Sequence, residues 1–292
     1  MPPAEIDVTV DRVRALLRAQ LHGLDGPLRR VANGWDNVIF RLGTDLAVRL
    51  PRRALSVQLV INEQRWLPMI APRLPWPVPA PVWVGRPHGD YPWPWSITRW
   101  FDGRPMHTVP VRDRLSYAAP LGYFLARMHF PAPPEAPGNP YRGIPLDQRD
   151  DRLTGHLDAL DGAQLRAVRR LWPALARTPA WYGPPLWLHG DPHPGNVVVR
   201  RDQLVAMIDF GDLTAGDPAT DLAIGWLGFD ARGRRLLADT YAGAGYLHPD
   251  TWARARGWAL CLSVALIANS DDSPAFAAIG WHGLHQVLTD DR

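Results

Sequence analysis

The sequence predicts an α+β protein in which a smaller sheet-rich part precedes a larger helical part. Short β-type segments dominate the first hundred residues, whereas helical periodicity dominates the rest. A polar loop at 189–196 lies between two apolar strand-like segments of the second part. We place the boundary near residue 102, which gives an N-terminal part of residues 1–102 and a C-terminal part of residues 103–292.

The N-terminal part is expected to form an antiparallel sheet accompanied by helices. Apolar side chains recur at helical spacing near its start, and turn residues separate the strand-like segments that follow. Five prolines between residues 72 and 81 exclude a helix there. The predicted elements are helices at 9–21 and 56–70 and strands at 28–32, 38–42, 46–50, 82–84 and 95–98.

The C-terminal part is expected to be mainly helical, with short strands around the polar loop. A Pro-rich connection at 131–145 separates its first two helices. No internal repeat is visible. The predicted elements are helices at 111–129 and 163–177, strands at 186–188, 197–199 and 205–208, and further helices from 220 to 288.

The composition is that of an ordinary soluble protein, with 46% hydrophobic and 21% charged residues. We expect no membrane span, because no apolar run is long enough, and no secretory signal at the N-terminus, so a cytoplasmic location is the default expectation. The single cysteine, Cys261, excludes an internal disulfide. The net charge is only +3 and the arginines are spread along the chain, so we expect no nucleic-acid partner.

Three polar residues carry the chemistry. Asp191 and Asn196 lie five apart in the loop, and Asp209 follows the next apolar segment. An amide oxygen and a carboxylate suit Mg²⁺, which leaves a second carboxylate to orient or deprotonate a hydroxyl. These are the parts of a kinase-type phosphoryl-transfer site. Asp191 alone could equally cap backbone amides in a turn.

The stretches Leu188-His189-Gly190-Asp191-Pro192-His193-Pro194-Gly195-Asn196-Val197 and Ile208-Asp209-Phe210-Gly211-Asp212 resemble the aminoglycoside phosphotransferase family. That family includes macrolide phosphotransferases and is related to choline and fructosamine kinases. The resemblance implies a two-lobed, protein-kinase-like fold. It also implies that Asp191 is the catalytic base and that Asn196 and Asp209 hold Mg²⁺. His189 and His193 would support the loop, and Asp221, in a segment similar to the family's GDPxxDLA, would be a buried partner of it.

The resemblance further implies that the N-terminal lobe binds ATP or GTP. Arg49 stands where kinase-like folds carry a strand lysine, and Glu63 lies fourteen residues later on a helix. The chain contains no lysine, and an exposed strand arginine without a role is the alternative for Arg49. Val31 and Ile97 would add apolar walls. The nucleotide-binding residues expected are Gly34, Asp36, Asn37, Val38, Ala47, Arg49, Glu63, Thr98, Arg99 and Phe101.

The acceptor is the least determined feature. A polycationic aminoglycoside needs carboxylates, and Asp271 with Asp272 is the best candidate pair, although both could instead start a helix. Aromatic residues of the helical region could line a pocket for a bulky, partly apolar acceptor such as a macrolide, or pack the core. These residues are Trp226, Trp252, Trp258 and Trp281.

The leading hypothesis is a nucleotide- and Mg²⁺-dependent O-phosphotransferase that acts on a hydroxyl of a small molecule, such as an aminoglycoside or macrolide antibiotic. One alternative is a metabolite kinase of the choline, fructosamine or homoserine type. Another is a kinase-like protein that binds nucleotide without catalysis. A monomer and a homodimer are both compatible with the sequence.

Overall fold

The computed structural model describes residues 3–21, 23–24, 26–243 and 249–290. The chain divides into two compact units. Unit 1 comprises Met1–Arg73, Pro77–Asp102 and Asp209–Gly211, and unit 2 comprises Leu74–Trp76, Gly103–Ile208 and Asp212–Arg292. The predicted α+β class is confirmed, with an antiparallel sheet early in the chain and helices prevailing later. Within the described residues, no helix is both long and apolar enough to span a bilayer.

Unit 1 is built on an antiparallel sheet whose strand order, over its described residues, is β1-β2-β3-β5-β4. Helix α1 is capped at its start by Thr9, whose hydroxyl accepts a hydrogen bond from the backbone N–H of Arg12. The elements of unit 1 are α1 (Val10–Gln20), β1 (Leu28–Asn33), β2 (Asn37–Leu42), β3 (Leu46–Pro51), α2 (Val57–Ile70), β4 (Pro81–Gly85) and β5 (Trp95–Arg99).

The two faces of this sheet have different roles because side chains alternate along each strand. One face of the sheet lies in an apolar core to which α1 contributes the side chains of Val13, Leu16 and Leu17. Val38, Phe40 and Ile97 belong to that core. The opposite face carries Arg49, whose cross-strand partners are Ile39 on β2 and Ser96 on β5.

Unit 2 is mainly helical and contains short strand pairs. In its described residues β7 pairs with β10, while β8 pairs with β6 and β9. The elements are β6 (Arg104–Pro105), α3 (Leu115–Met128), α4 (Asp150–Thr154), α5 (Gly162–Ala176), β7 (Leu186–Leu188), β8 (Val197–Arg200), β9 (Gln203–Met207), β10 (Thr214–Gly216), α6 (Ala219–Leu222), α7 (Ile224–Gly228), α8 (Ala231–Ala242), α9 (Thr251–Ala268) and α10 (Pro274–Leu288).

The structure adds details that the sequence patterns did not reveal. The two strands that flank the polar loop, β7 and β8, belong to different small sheets. The helix expected from residue 111 begins at Leu115, because Val111–Asp113 forms a 3-10 turn first. The region expected to be helical from 220 onward is interrupted by breaks, one of them at Phe229, which is extended. Short elements such as β6 and β10 were too brief to show a pattern.

Candidate active site

The polar loop 189–196 starts on a buried carboxylate. Asp221 is fully buried and accepts hydrogen bonds from the backbone N–H groups of His189 at 2.7 Å and Gly190 at 2.9 Å. Its Oδ2 also lies 3.1 Å from Nε2 of His129, whose Nδ1 lies 2.8 Å from the hydroxyl of Tyr241. Because charge-assisted hydrogen bonds are strong, this arrangement fixes the first turn of the loop. Asp221 thus lies where the sequence expected a buried partner of the loop.

Gly190 is required by the path of the loop. Its φ is +89°, a conformation that side-chain-bearing residues rarely adopt. A Cβ built on Gly190 would lie 2.1 Å from the carbonyl oxygen of Asp212. The loop backbone therefore packs directly against the chain at Asp212, and only glycine allows this approach.

Two side chains hold the rest of the loop in shape. The Nδ1 atom of His189 accepts from the backbone N–H of Asp191 at 3.2 Å, and its Nε2 donates to the carbonyl of Ile208 at 3.0 Å. Asn196 donates from Nδ2 to the carbonyl of Asp191 at 3.0 Å. His189 is therefore a structural member of the loop, and the amide of Asn196 is oriented with Oδ1 away from that bond.

The carboxylate of Asp191 is partly exposed, at 31% of its side-chain surface, and lies between two cationic or ionisable groups. Nη2 of Arg142 donates to Oδ1 at 3.1 Å, and Nε2 of His193 lies 3.6 Å from Oδ2. Burial acts to raise the pKa of Asp191, but Arg142 and the neighbouring histidines outweigh it and hold this pKa below its usual range. The carboxylate is consequently ionised at neutral pH, as a proton acceptor must be.

The contact between Arg142 and Asp191 was not expected from the sequence. Nη2 of Arg142 also lies 3.7 Å from Oδ2 of Asp212, and the amide of Asn139 donates to Oδ1 of Asp212 at 2.7 Å. Arg142 and Asn139 come from the Pro-rich connection, 49 residues before Asp191 in the case of Arg142. Two residues so far apart in the chain leave no periodic pattern in the sequence. The only sequence feature that could have indicated this contact is the unusual Asn-x-x-Arg segment in the Pro-rich connection.

In unit 1 the structure brings Arg49 and Glu63 together. Nη1 of Arg49 donates to both oxygens of Glu63 at 2.9 Å, and both side chains are buried. Nη2 of Arg49 lies 3.5 Å from Oδ1 of Asp209, which also belongs to unit 1. Burial acts to lower the pKa of Arg49, yet the surrounding carboxylates raise it overall, so the guanidinium stays charged. Arg49 is not an idle surface residue.

Asp209 is held in an uncommon backbone conformation. Its φ of 64° lies in the left-handed region, which costs a non-glycine residue about 1 kcal/mol or more. Its side chain is 59% exposed, so the carboxylate is accessible. By donor type, this carboxylate and the Oδ1 atom of Asn196 suit Mg²⁺. Within the part of the chain that the structure describes, no group of three or more His, Cys, Asp or Glu side chains could hold a metal ion.

The hairpin loop between β1 and β2 is fastened from within unit 1. Oδ1 of Asp36 accepts from Arg53 at 2.6 Å and from the hydroxyl of Ser56 at 2.7 Å. Nη1 of Arg52 donates to the carbonyl of Gly34 at 3.0 Å. The Asp36 side chain therefore shapes the loop, while Gly34 is half-buried and Asn37 is buried.

The remaining residues expected around the nucleotide fall into two groups. Ala47 and Thr98 are cross-strand partners on the face that carries Arg49. Val38 and Ile97 were expected to wall the same site, and this placement is wrong, because both side chains pack into the core against α1. Ile39 is the β2 residue that shares the face of Arg49. Arg99 is exposed at the end of β5, and Phe101 is half-buried beyond it.

The acceptor candidates lie near the start of α10. Asp271 and Asp272 are exposed and precede this helix, whose N-cap residue is Ser273. The alternative that these two aspartates start a helix is therefore wrong. Phe276, in the first turn of α10, packs edge-on against the ring of His193, with the two ring centroids 5.2 Å apart. Among the tryptophans, Trp226 and Trp258 are buried, whereas Trp281 is 39% exposed.

A model of the phosphotransferase enzyme family matches residues 27–258. No curated protein matches the chain. The solved structures with a similar fold include the GDP and kanamycin complex of APH(2")-IIia, at 16% identity and TM-score 0.73 over 96% of this chain and 99% of that one. They also include the macrolide 2'-phosphotransferase MphH from Brachybacterium faecium, at 22% identity and TM-score 0.66 over 96% and 99% of the two chains.

A third similar structure is the streptomycin-ATP-APH(2")-IIa ternary complex, at 17% identity and TM-score 0.62 over 94% of this chain and 95% of that chain. At these identities the likeness concerns the fold. The protein-kinase-like fold expected from the sequence is thereby confirmed.

Proposed function

Because the chain belongs to the phosphotransferase enzyme family, we propose that it transfers the terminal phosphoryl group of ATP or GTP to a hydroxyl of a small molecule. The observation that carries this proposal is the setting of Asp191, an accessible, ionised carboxylate on a loop that Asp221 anchors through two backbone amides. Rigid loops that present one reactive group are typical of catalytic sites.

Asp191 has the properties of the group that accepts the hydroxyl proton. Its Oδ2 lies 3.6 Å from His193, and Arg142 binds its Oδ1. An acceptor hydroxyl within hydrogen-bond reach of this carboxylate would be oriented for attack on the terminal phosphorus of the nucleotide. As the new O–P bond forms, the hydroxyl proton would pass to the carboxylate, and the bond from that phosphorus to the bridging oxygen would break, with the nucleoside diphosphate as the leaving group. His193, whose Nδ1 accepts from the N–H of Gly195 at 3.0 Å, supports the loop.

The nucleotide would bind to unit 1. Arg49 offers a guanidinium that Glu63 orients from one side, with Nη2 turned toward Asp209. A guanidinium binds phosphate in a forked geometry, so Arg49 can bind the nucleotide phosphates in place of the lysine of kinase-like folds. Ile39, Ala47 and Thr98 share its sheet face and are suited to contact the base, together with the backbone of Arg99 and Phe101.

Asn196 and Asp209 would hold Mg²⁺, which, when bound, neutralises charge on the transferring phosphoryl group. Asn196 is prepared for this because its Nδ2 is engaged by the carbonyl of Asp191, which leaves Oδ1 as the ligand atom. The exposed carboxylate of Asp209 is kept in place by its left-handed backbone and by Arg49.

For the acceptor, the similar structures supply two classes, since their titles name kanamycin, streptomycin and a macrolide phosphotransferase. A hydroxylated antibiotic of either class is therefore the first acceptor to test. The second candidate is a metabolite kinase of the choline, fructosamine or homoserine type, which the same catalytic loop would serve. A nucleotide-binding protein without catalysis is disfavoured by the intact set of Asp191, Asn196 and Asp209.

The test is a transfer assay with ATP and with GTP, each with and without Mg²⁺, against aminoglycosides, macrolides and hydroxylated metabolites. We expect a phosphorylated product from one acceptor class, and loss of product when EDTA removes Mg²⁺ or when Asp209 is replaced by Asn. A protein that binds both nucleotides but phosphorylates no member of the panel would favour the non-catalytic alternative.

A further inference from the structure

The two carboxylates at the catalytic loop share one cation. Nη2 of Arg142 lies 3.1 Å from Oδ1 of Asp191 and 3.7 Å from Oδ2 of Asp212. Asn139 fastens Asp212 from the same segment, at 2.7 Å. Arg142 itself is mostly buried, with 17% of its side chain exposed, so its charge is poorly screened by solvent. An acceptor that approaches Asp191 therefore meets a guanidinium already in place.

The other buried carboxylates of unit 2 are committed to internal partners. Asp217 binds Arg254 at 2.6 Å, Asp221 binds the loop amides and His129, and Asp290 pairs with Arg234 at 3.3 Å. Each of these groups balances a charge or caps a backbone donor within the fold. They are consequently not offered to the ammonium groups of a ligand.

A second arginine of the same segment is also buried. Arg149 is 4% exposed, and within the described residues it makes no ion pair. Its guanidinium lies over the ring of Trp258, 5.4 Å from the centroid, and its Nε has no hydrogen-bond partner. Arg114 provides the contrast, since it is equally buried but donates to the carbonyls of Val109, Gly228 and His107.

We propose that Arg142 makes the acceptor site selective against polycations, so that the natural acceptor is a hydroxylated molecule that carries at most one positive charge. This inference rests on the proposed function, because it assumes that the acceptor hydroxyl reaches Asp191. A ligand with several ammonium groups would have to compete with Arg142 for the carboxylates of Asp191 and Asp212, and its remaining charges would lie beside a guanidinium that is already in place. A neutral or monocationic acceptor avoids most of that repulsion and can still hydrogen-bond to Asp191.

The experiment is calorimetric titration of kanamycin, a polycation, into the whole chain and three variants at low ionic strength. Arg142→Gln removes the charge, Arg142→Lys keeps it, and Arg169→Gln removes an exposed arginine of α5. We expect Arg142→Gln to bind kanamycin about tenfold more tightly than the wild type or better, because the carboxylates of Asp191 and Asp212 become available. Arg142→Lys and Arg169→Gln should match the wild type, and added salt should reduce the gain.

Equal kanamycin affinities in the wild type and Arg142→Gln, or no measurable binding by either, would overturn the proposal. Circular dichroism checks that each variant is folded, and Arg142→Met serves as the neutral variant if the glutamine variant is not. The proposed function fails on different grounds, namely the absence of nucleotide binding or of transfer in the wild type. The kanamycin titration requires neither nucleotide nor turnover, so the two failures are distinguishable.

Discussion

Nη1 of Arg49 donates to both carboxylate oxygens of Glu63 at 2.9 Å, and the two side chains are among the most deeply buried charged groups of unit 1. A buried ion pair adds little net stability, but removal of one partner leaves an uncompensated charge. We therefore expect Arg49→Met to destabilise unit 1 by about 3–5 kcal/mol in urea unfolding. Nucleotide affinity should fall with it.

The double variant Arg49→Met, Glu63→Met separates the two effects. It removes both charges, so the free energy of unfolding should recover most of the loss, whereas affinity for ATP and GTP, measured calorimetrically, should not recover. Recovery of nucleotide binding in the double variant would show that Arg49 serves the fold and does not contact phosphate.

Asp221 and Tyr241 lie at opposite ends of one buried hydrogen-bond chain through His129. Asp221→Asn removes a charged acceptor that serves two loop amides, and we expect a loss of about 3 kcal/mol in unfolding free energy together with loss of transfer. Tyr241→Phe deletes one bond remote from the loop and should cost about 1 kcal/mol, with transfer nearly intact. Comparable losses of transfer in the two variants would contradict the anchoring role of Asp221.

Gly190→Ala tests the close approach of the loop to Asp212. The left-handed backbone and the clash of the new Cβ, which would lie only 2.1 Å from the carbonyl oxygen of Asp212, act together, so the variant should lose about 3 kcal/mol or more of stability. Chemical denaturation measures this directly. As a matched control, Gly138→Ala adds a Cβ with no heavy atom within 4 Å and should be close to neutral.

Burial lowers the pKa of His282, whose Nε2 donates to the carbonyl of Phe229 at 3.0 Å. The unfolded chain therefore binds a proton at higher pH than the folded chain does. The stability that His282 contributes is present above its ordinary pKa of about 6.5 and is lost as the pH falls from there toward its lowered folded value. His282→Gln should flatten the pH dependence of urea unfolding between about pH 7 and pH 5. Superimposable pH profiles would refute this assignment.

Most of the helices and strands could be predicted from local sequence patterns. Strands β2, β3 and β5 and helices α1, α2 and α5 lie within one or two residues of their predicted bounds, because apolar periodicity and turn residues mark them. The resemblance supplied Asp191 and Asn196 from the loop and Asp221 from the segment similar to GDPxxDLA, and the structure gives Asp221 its hydrogen bonds.

Contacts between residues far apart in the chain could not be predicted from the sequence. Val38 was placed with Arg49, but the strand register pairs Arg49 with Ile39, and a shift of one residue changes the face of the sheet. Arg142 was not identified because its partner Asp191 is 49 residues away and the connection between them has no periodicity. Both omissions concern which side chains meet, which depends on tertiary packing.

The catalytic role of Asp191 is tested by its replacement by Ala, with phosphoryl transfer and nucleotide affinity measured on the same preparation. A general base contributes about a hundredfold or more to the rate, so transfer to the acceptor that the wild type uses should fall by at least that factor. The dissociation constants of ATP and GTP should remain near those of the wild type, because the nucleotide is assigned to unit 1. Normal turnover by the Asp191→Ala variant would show that Asp191 is not the group that accepts the hydroxyl proton.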